Sequence, residues 1–213
     1  MNHDYKVKVL QYMHGDFEYF QWSETINRRY CERHGYEYVI SRETPRTDRH
    51  VCWHKIPVIM NELHDCDYLL FVDADAVFYC HELTIENELI PLMEDKLLLM
   101  AQDAVSEHER WTPGLLPNTG VILMKNNIKT SEFFECWDQA SEIDELTRWQ
   151  WPPEQRALWT VVLPVFSGMV HVHSDYYMIH GRYSQYIRHF CLRSDQDRVA
   201  GMQAISQRLS YLQ

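Results

Sequence analysis

The sequence predicts a single α/β domain with a mostly parallel central sheet flanked by helices, and three observations predict it. Tyr68 to Val72 (YLLFV) is an unbroken apolar run, the composition of a strand buried on both faces at the centre of a parallel sheet. Strand-like and helix-like segments alternate along the chain, the pattern of βαβ units. The 213 residues are 46% hydrophobic and 24% charged, enough for one sizeable core and unlike a disordered chain.

Val7, Val9 and Leu10 supply a β-branched first strand. Phe17 to His34 reads as a helix, with Trp22, Ile26 and Tyr30 on one face and Gly35 placed as its C-cap. Tyr36 to Ile40 is a second strand, Arg42 to His50 a polar loop, and Lys55 to His64 a helix that admits Pro57 in its first turn. Leu97 to Met100 and Val121 to Met124 repeat the buried-strand composition. Ser131 to Ile143 and Glu154 to Val162 read as helices on either side of a proline-stopped loop, Arg148 to Pro153. Val165 to Val172 and Tyr176 to Ile179 have strand composition, and residues 194–212 fit an amphipathic C-terminal helix. No repeat or linker divides the chain. Within one domain, about 1–103 forms a first half, about 104–190 a second, less regular one.

Composition also excludes. A formal net charge of −11 disfavours nucleic acid and anionic membranes as partners. The seven glycines include no G-x-G, which removes the dinucleotide fingerprint and the P-loop. No apolar run reaches membrane-spanning length, and Met1 to Lys8 lacks the apolar core of a signal peptide. The six cysteines form no C-x-x-C. Free thiols in the cytoplasm are the plain expectation, disulfides the alternative for an excised lumenal domain.

The strongest chemical signal is Asp73-Ala74-Asp75, directly after YLLFV. Ligand sites of open α/β sheets lie beyond the carboxyl ends of the strands. Two carboxylates there repel each other unless neutralised, and a hard divalent cation does so while leaving positions for phosphate oxygens. LLFVDADAV also fits the start of haloacid-dehalogenase-type phosphatases, but the later acidic motif of that class is missing.

The flanks decide the resemblance. Tyr30 to Tyr36 carries Y-x-x-x-H-G-Y, Trp53 to Pro57 carries W-x-K-hydrophobic-P, and Asn118 to Val121 carries N-T-G-hydrophobic. Glu154 to Leu158 (EQRAL) and His180-Gly181 follow. In this order, with D-x-D, the segments resemble the galactosyl-, xylosyl- and mannosyltransferase family, nucleotide-sugar enzymes of the GT-A fold. More loosely, the chain resembles glycosyltransferase domains encoded by large algal (chlorella) viruses. Three departures stand out: the loop Arg42 to Val51 is short, Glu154 stands where aspartate or glutamine is common, and no cysteine-containing ending follows His180-Gly181.

The resemblance implies transfer of a hexose from a nucleotide diphosphate sugar, UDP being the first candidate, to a glycan or glycoprotein. It implies Mn²⁺ or Mg²⁺ held by Asp73, Asp75 and His180, with His171 and His173 as an alternative third ligand. Tyr12 would stack on the base or simply pack on the core. Arg49, Lys55, Asp73, Asn118, Gly120, Gly181 and Arg182 would contact the donor. Glu154, Gln155 and Asp103 are the catalytic candidates, as base, nucleophile or stabiliser of an oxocarbenium-like centre. Trp111, Trp149 and Trp151 suit acceptor stacking or core packing. Phosphotransfer through Asp73, and a nucleotide-sugar-binding module without turnover, are the alternatives.

Overall fold

A computed structural model describes residues 5–103 and 116–211 of the chain. Strands β1 (Val7–Tyr12), β2 (Glu37–Ser41), β3 (Tyr68–Asp73), β5 (Leu98–Gln102), β6 (Pro117–Lys125) and β7 (Val170–His173) form one sheet in the order β2-β1-β3-β6-β5-β7. Only β6 runs against the other five. β4 (Ala76–Phe78) and β8 (Ile187–His189) make a separate antiparallel ribbon. The helices are α1 (Tyr19–His34), α2 (Lys55–Glu62), α3 (Ile85–Glu88), α4 (Ile128–Ala140), α5 (Glu145–Trp149), α6 (Pro153–Ala157), α7 (Leu163–Phe166), α8 (Tyr176–Ile179) and α9 (Asp195–Tyr211).

The buried runs explain the layering. On β3, Leu69 and Phe71 point into one apolar layer with α2 and α4, while Leu70 and Val72 point into the opposite layer. Both faces are therefore covered, as the composition of YLLFV requires. α1 stops where Gly35 takes a left-handed conformation (φ 74°) and its N–H reaches the Cys31 carbonyl. α9 returns to pack on α1 through Met202, Ile205 and Leu209, in a third cluster with Phe20, Ile26 and Phe190.

The later part of the chain corrects the sequence reading. The strand expected over Val165 to Val172 is only Val170–His173, because the helical path begun at α6 continues through a π-helical segment to α7 and a 3₁₀ turn. Tyr176 to Ile179 is a helical turn, not a strand. Part of the Arg148 to Pro153 loop belongs to α5, capped by Asp144 accepting from the Thr147 N–H (2.6 Å). Local apolar composition cannot separate a short strand from a buried helical turn. All six cysteines are unpaired. Among the described residues, no helix is long and apolar enough to cross a membrane.

A pH dependence follows from the packing after β4. His81 is buried against the Tyr30 ring. Burial, and then the nearby Arg29 guanidinium, pushes its pKa from the ordinary 6.5 down to about 4. The fold holds His81 neutral while the unfolded chain protonates it, so stability is expected to fall as pH drops from about 6.5 to about 4. Melting temperatures across that window should fall toward acid, and His81→Phe should flatten the slope. An unchanged slope in the variant would refute the assignment.

Candidate active site

β1 and β3 are parallel neighbours, and their register sets Tyr12 beside Asp73 at the carboxyl edge of the sheet. The chain turns there into β4, so Asp73 and Asp75 sit on either side of a tight corner. Asp75 is buried. One of its carboxylate oxygens lies 3.1 Å from His189 Nε2, and the other accepts from Arg198 Nε at 3.0 Å. Burial alone would raise its pKa, but His189 and then Arg198 hold it down at about 2. His189 shows the converse: burial opposes its charge, yet the Asp75 carboxylate keeps its pKa above the ordinary imidazole value.

Asp73 is partly exposed and accepts a hydrogen bond from Lys55 Nζ at 2.8 Å. Lys55 stands at the start of α2, buried, with its ammonium also donating to the Thr119 carbonyl (3.2 Å) and 3.5 Å from Glu154. Burial disfavours that charge, but Asp73 and Glu154 outweigh it and raise the Lys55 pKa. Glu154 and Gln155, both buried, begin α6 after Pro153, where proline costs no hydrogen bond. Thr119 Oγ1 donates to Glu154 Oε1 at 3.1 Å. Gln155 Oε1 accepts from the Thr119 N–H (3.0 Å), while its Nε2 donates to Asp103 Oδ2 (3.0 Å). Asn118 Nδ2 donates to both Asp103 and Gln155 at 3.3 Å, and Asn118 Oδ1 accepts from the Gly120 N–H at 2.8 Å. One polar network thus joins the ends of β3 and β5 and the start of the antiparallel β6 to the starts of α2 and α6.

Gly120 has a specific job in this corner. A Cβ there would lie 2.8 Å from each nitrogen of the His189 ring. The bare backbone of β6 is therefore the surface on which the His189 imidazole rests. His180 is fully buried behind it, with Nδ1 3.2 Å from His189 Nδ1 and Nε2 3.7 Å from Asp103 Oδ1.

Two groupings among the described residues bring three possible metal ligand atoms within 4.8 Å of one another: Asp73, Asp75 and His189, and His180, His189 and Cys191. His189 belongs to both, and the sequence reading did not single it out. Arg198 was also missed, and nothing in its helical surroundings marks it.

Other candidates lie elsewhere. Arg49 is buried in an ion-pair network with Asp138 (3.1 Å) and Glu142 at the end of α4. Arg182 is exposed and stacked on Tyr183, next to the buried Gly181. Tyr12 shares a hydrogen bond with His54 Nδ1 (2.9 Å), and its ring lies stacked toward His14. His171 and His173 face each other on the edge strand β7. Trp149 and Trp151 are exposed on the approach to α6, and Trp111 lies outside the described residues.

Residues 8–113, from β1 through Asp73 and Asp75, match the family model of the galactosyl transferase GMA12/MNN10 family. Among solved structures, the chain is similar to a glycosyltransferase involved in the glycosylation of the major capsid of PBCV-1. That pair has a TM-score of 0.75 and 16% identity over 92% of this chain and 98% of the other. It is also similar to an active-site mutant of LgtC, with a TM-score of 0.59 and 13% identity over 96% and 95% of the two chains. The chain is a glycosyltransferase of the GT-A fold. The bifunctional glycosyltransferase WbbM shares this fold at a TM-score of 0.60 and 10% identity, over 97% of the present chain and 52% of the other. No curated protein sequence matches. In the glycosyltransferase, the Asp73 corner falls inside the family match, whereas Gly120, Gln155, His180 and His189 lie beyond it.

Proposed function

We propose that this glycosyltransferase moves a hexose from a UDP-sugar to a glycan or glycoprotein acceptor, with Mn²⁺ or Mg²⁺ at Asp73, Asp75 and His189. The observation that carries the reading is the convergence of those three ligand groups at the carboxyl edge of β1 and β3. Two carboxylates and an imidazole suit Mn²⁺ at least as well as Mg²⁺. Geometry favours His189 over His180 as the imidazole ligand, because His189 Nε2 faces both aspartates, at 3.1 and 3.8 Å. A bound cation would neutralise charge on the departing nucleoside diphosphate.

The other roles belong to the chain's own groups. His180 lies between Asp103 and His189 and orients the second ring. Lys55 fixes the Asp73 carboxylate. Tyr12 lies at the end of β1, where a base would enter. Glu154, Gln155 and Asp103 line the region where the sugar would lie, with the Gln155 amide oriented on both sides. Exposed Trp149 and Trp151 offer apolar faces for an acceptor sugar. The segment through Asp103 would then serve the donor and the later segment the acceptor. The phosphotransfer alternative gives way to the fold.

Thermal shift with UDP, GDP and ADP, each with and without Mn²⁺, tests the donor. UDP with Mn²⁺ should raise the melting temperature by about 5 °C at a hundredfold excess over Kd, and UDP alone should not. No shift with any nucleotide would sink the reading. Release of hexose from the donor would separate an enzyme from a binding module.

A further inference from the structure

Arg198 is on none of the strands that build the sheet edge. It comes from the first turns of α9, 123 residues after its partner Asp75. Its Nε donates to Asp75 Oδ2 at 3.0 Å, its Nη1 donates to Asp195 at 2.9 Å, and its guanidinium carbon lies 5.2 Å from the centre of the Tyr19 ring. With Lys55 on Asp73 and His189 on the other oxygen of Asp75, each carboxylate of the D-x-D corner already has a cationic or imidazole partner from the chain itself. A divalent cation at Asp73, Asp75 and His189 would sit beside two fixed positive side chains, with Asp75 and His189 themselves buried. Like charges at such range repel strongly. A nucleoside diphosphate reverses that balance, because it brings negative oxygens that a guanidinium can bind in pairs.

We propose that Arg198 is a built-in counter-ion of Asp75 that opposes metal binding alone and is handed to the diphosphate when metal and nucleotide enter together. This rests on the metal-dependent donor site proposed above. The consequence is cooperativity: each ligand should raise affinity for the other, and Arg198 should carry much of the coupling. Arg198 acts on the metal through Asp75, so it is a positioning residue for the ion.

The test is Mn²⁺ titration followed by electron paramagnetic resonance of the free ion, with and without saturating UDP. The proteins are the wild type, Arg198→Met, Arg198→Lys and Arg208→Met. Arg198→Met keeps the aliphatic packing on Tyr19 and should bind Mn²⁺ alone fivefold or more tightly than the wild type, while the gain in Mn²⁺ affinity from UDP shrinks by a similar factor. Arg198→Lys keeps the charge and should stay nearer the wild type, which protects the test if Arg198→Met folds poorly. Arg208, on the same helix but bonded to the Tyr79 carbonyl, should leave Mn²⁺ affinity unchanged when replaced. If the wild type binds Mn²⁺ and UDP but Arg198→Met binds Mn²⁺ alone no more tightly, the counter-ion role is overturned while the donor site stands. If the wild type binds neither ligand, both fall.

Discussion

Asp75→Asn should abolish Mn²⁺-dependent binding of the nucleotide sugar and lower turnover by at least about a hundredfold, equivalent to about 2.7 kcal/mol of barrier. Asparagine keeps the shape of the side chain and removes the charge. In the wild type that charge is maintained well into acid, since His189 and Arg198 hold the carboxyl pKa at about 2. The substitution also leaves the buried His189 and the partly exposed Arg198 without their carboxylate, so some loss of stability will accompany it. Calorimetric titration of Mn²⁺ into folded variant protein separates the two effects. Retained Mn²⁺-dependent donor binding in a folded Asp75→Asn protein would remove the metal-site argument altogether.

Gly120→Ala should have a comparable effect through a residue with no functional group. A methyl group on this stretch of β6 has no room beside the His189 ring, 2.8 Å from either nitrogen. Either the imidazole leaves Asp75 or β6 shifts at the centre of the sheet. Overpacking of this kind costs about 1–3 kcal/mol, which at this chain length is several degrees of melting temperature. Mn²⁺ affinity should fall with it, because the ring no longer faces the two aspartates. A His189→Ala, Gly120→Ala double variant distinguishes steric from incidental damage. With the ring gone, the extra methyl should cost much less stability than it does in the wild type. Equal costs in both backgrounds would show that Gly120 is not the seat of His189.

The sequence made the sheet legible because its central strands are written as apolar runs that only a doubly covered sheet accommodates. YLLFV, the acidic corner after it and Gly35 needed no tertiary information. Lys55, Asn118, Gly120, Glu154 and Gln155 were legible as a group through spacing and resemblance, and the fold brings them into one network with Asp73 and Asp103. Arg49 was legible only as a cation, and what it faces (Asp138 and Glu142) could not be read from its neighbours. His189 and Arg198 escaped for a related reason. Each acts across more than half the chain, on a short strand or helix turn whose local pattern is ordinary. His180 drew attention through the glycine after it, yet the ring facing both aspartates is the one it packs against.

The two-strand ribbon of β4 and β8 has a consequence for how the site comes into being. It pairs Ala76 with His189, and the Phe190 N–H closes on the Asp75 carbonyl at 2.9 Å. Three residues on each side thus clip together ends of a very long loop. Closing such a loop carries an entropic penalty that is recovered only once the intervening sheet is in place. The acidic corner is synthesised well before the ring and the guanidinium that neutralise Asp75, Arg198 lying 123 residues further along. Until then Asp75 lacks both of its partners, whereas Lys55 precedes Asp73 in the chain, so a nascent chain halted before Ile187 would leave the Asp75 carboxylate uncompensated. Assembly of the site therefore follows formation of the intervening sheet, and protection of the Phe190 amide from hydrogen exchange would time it.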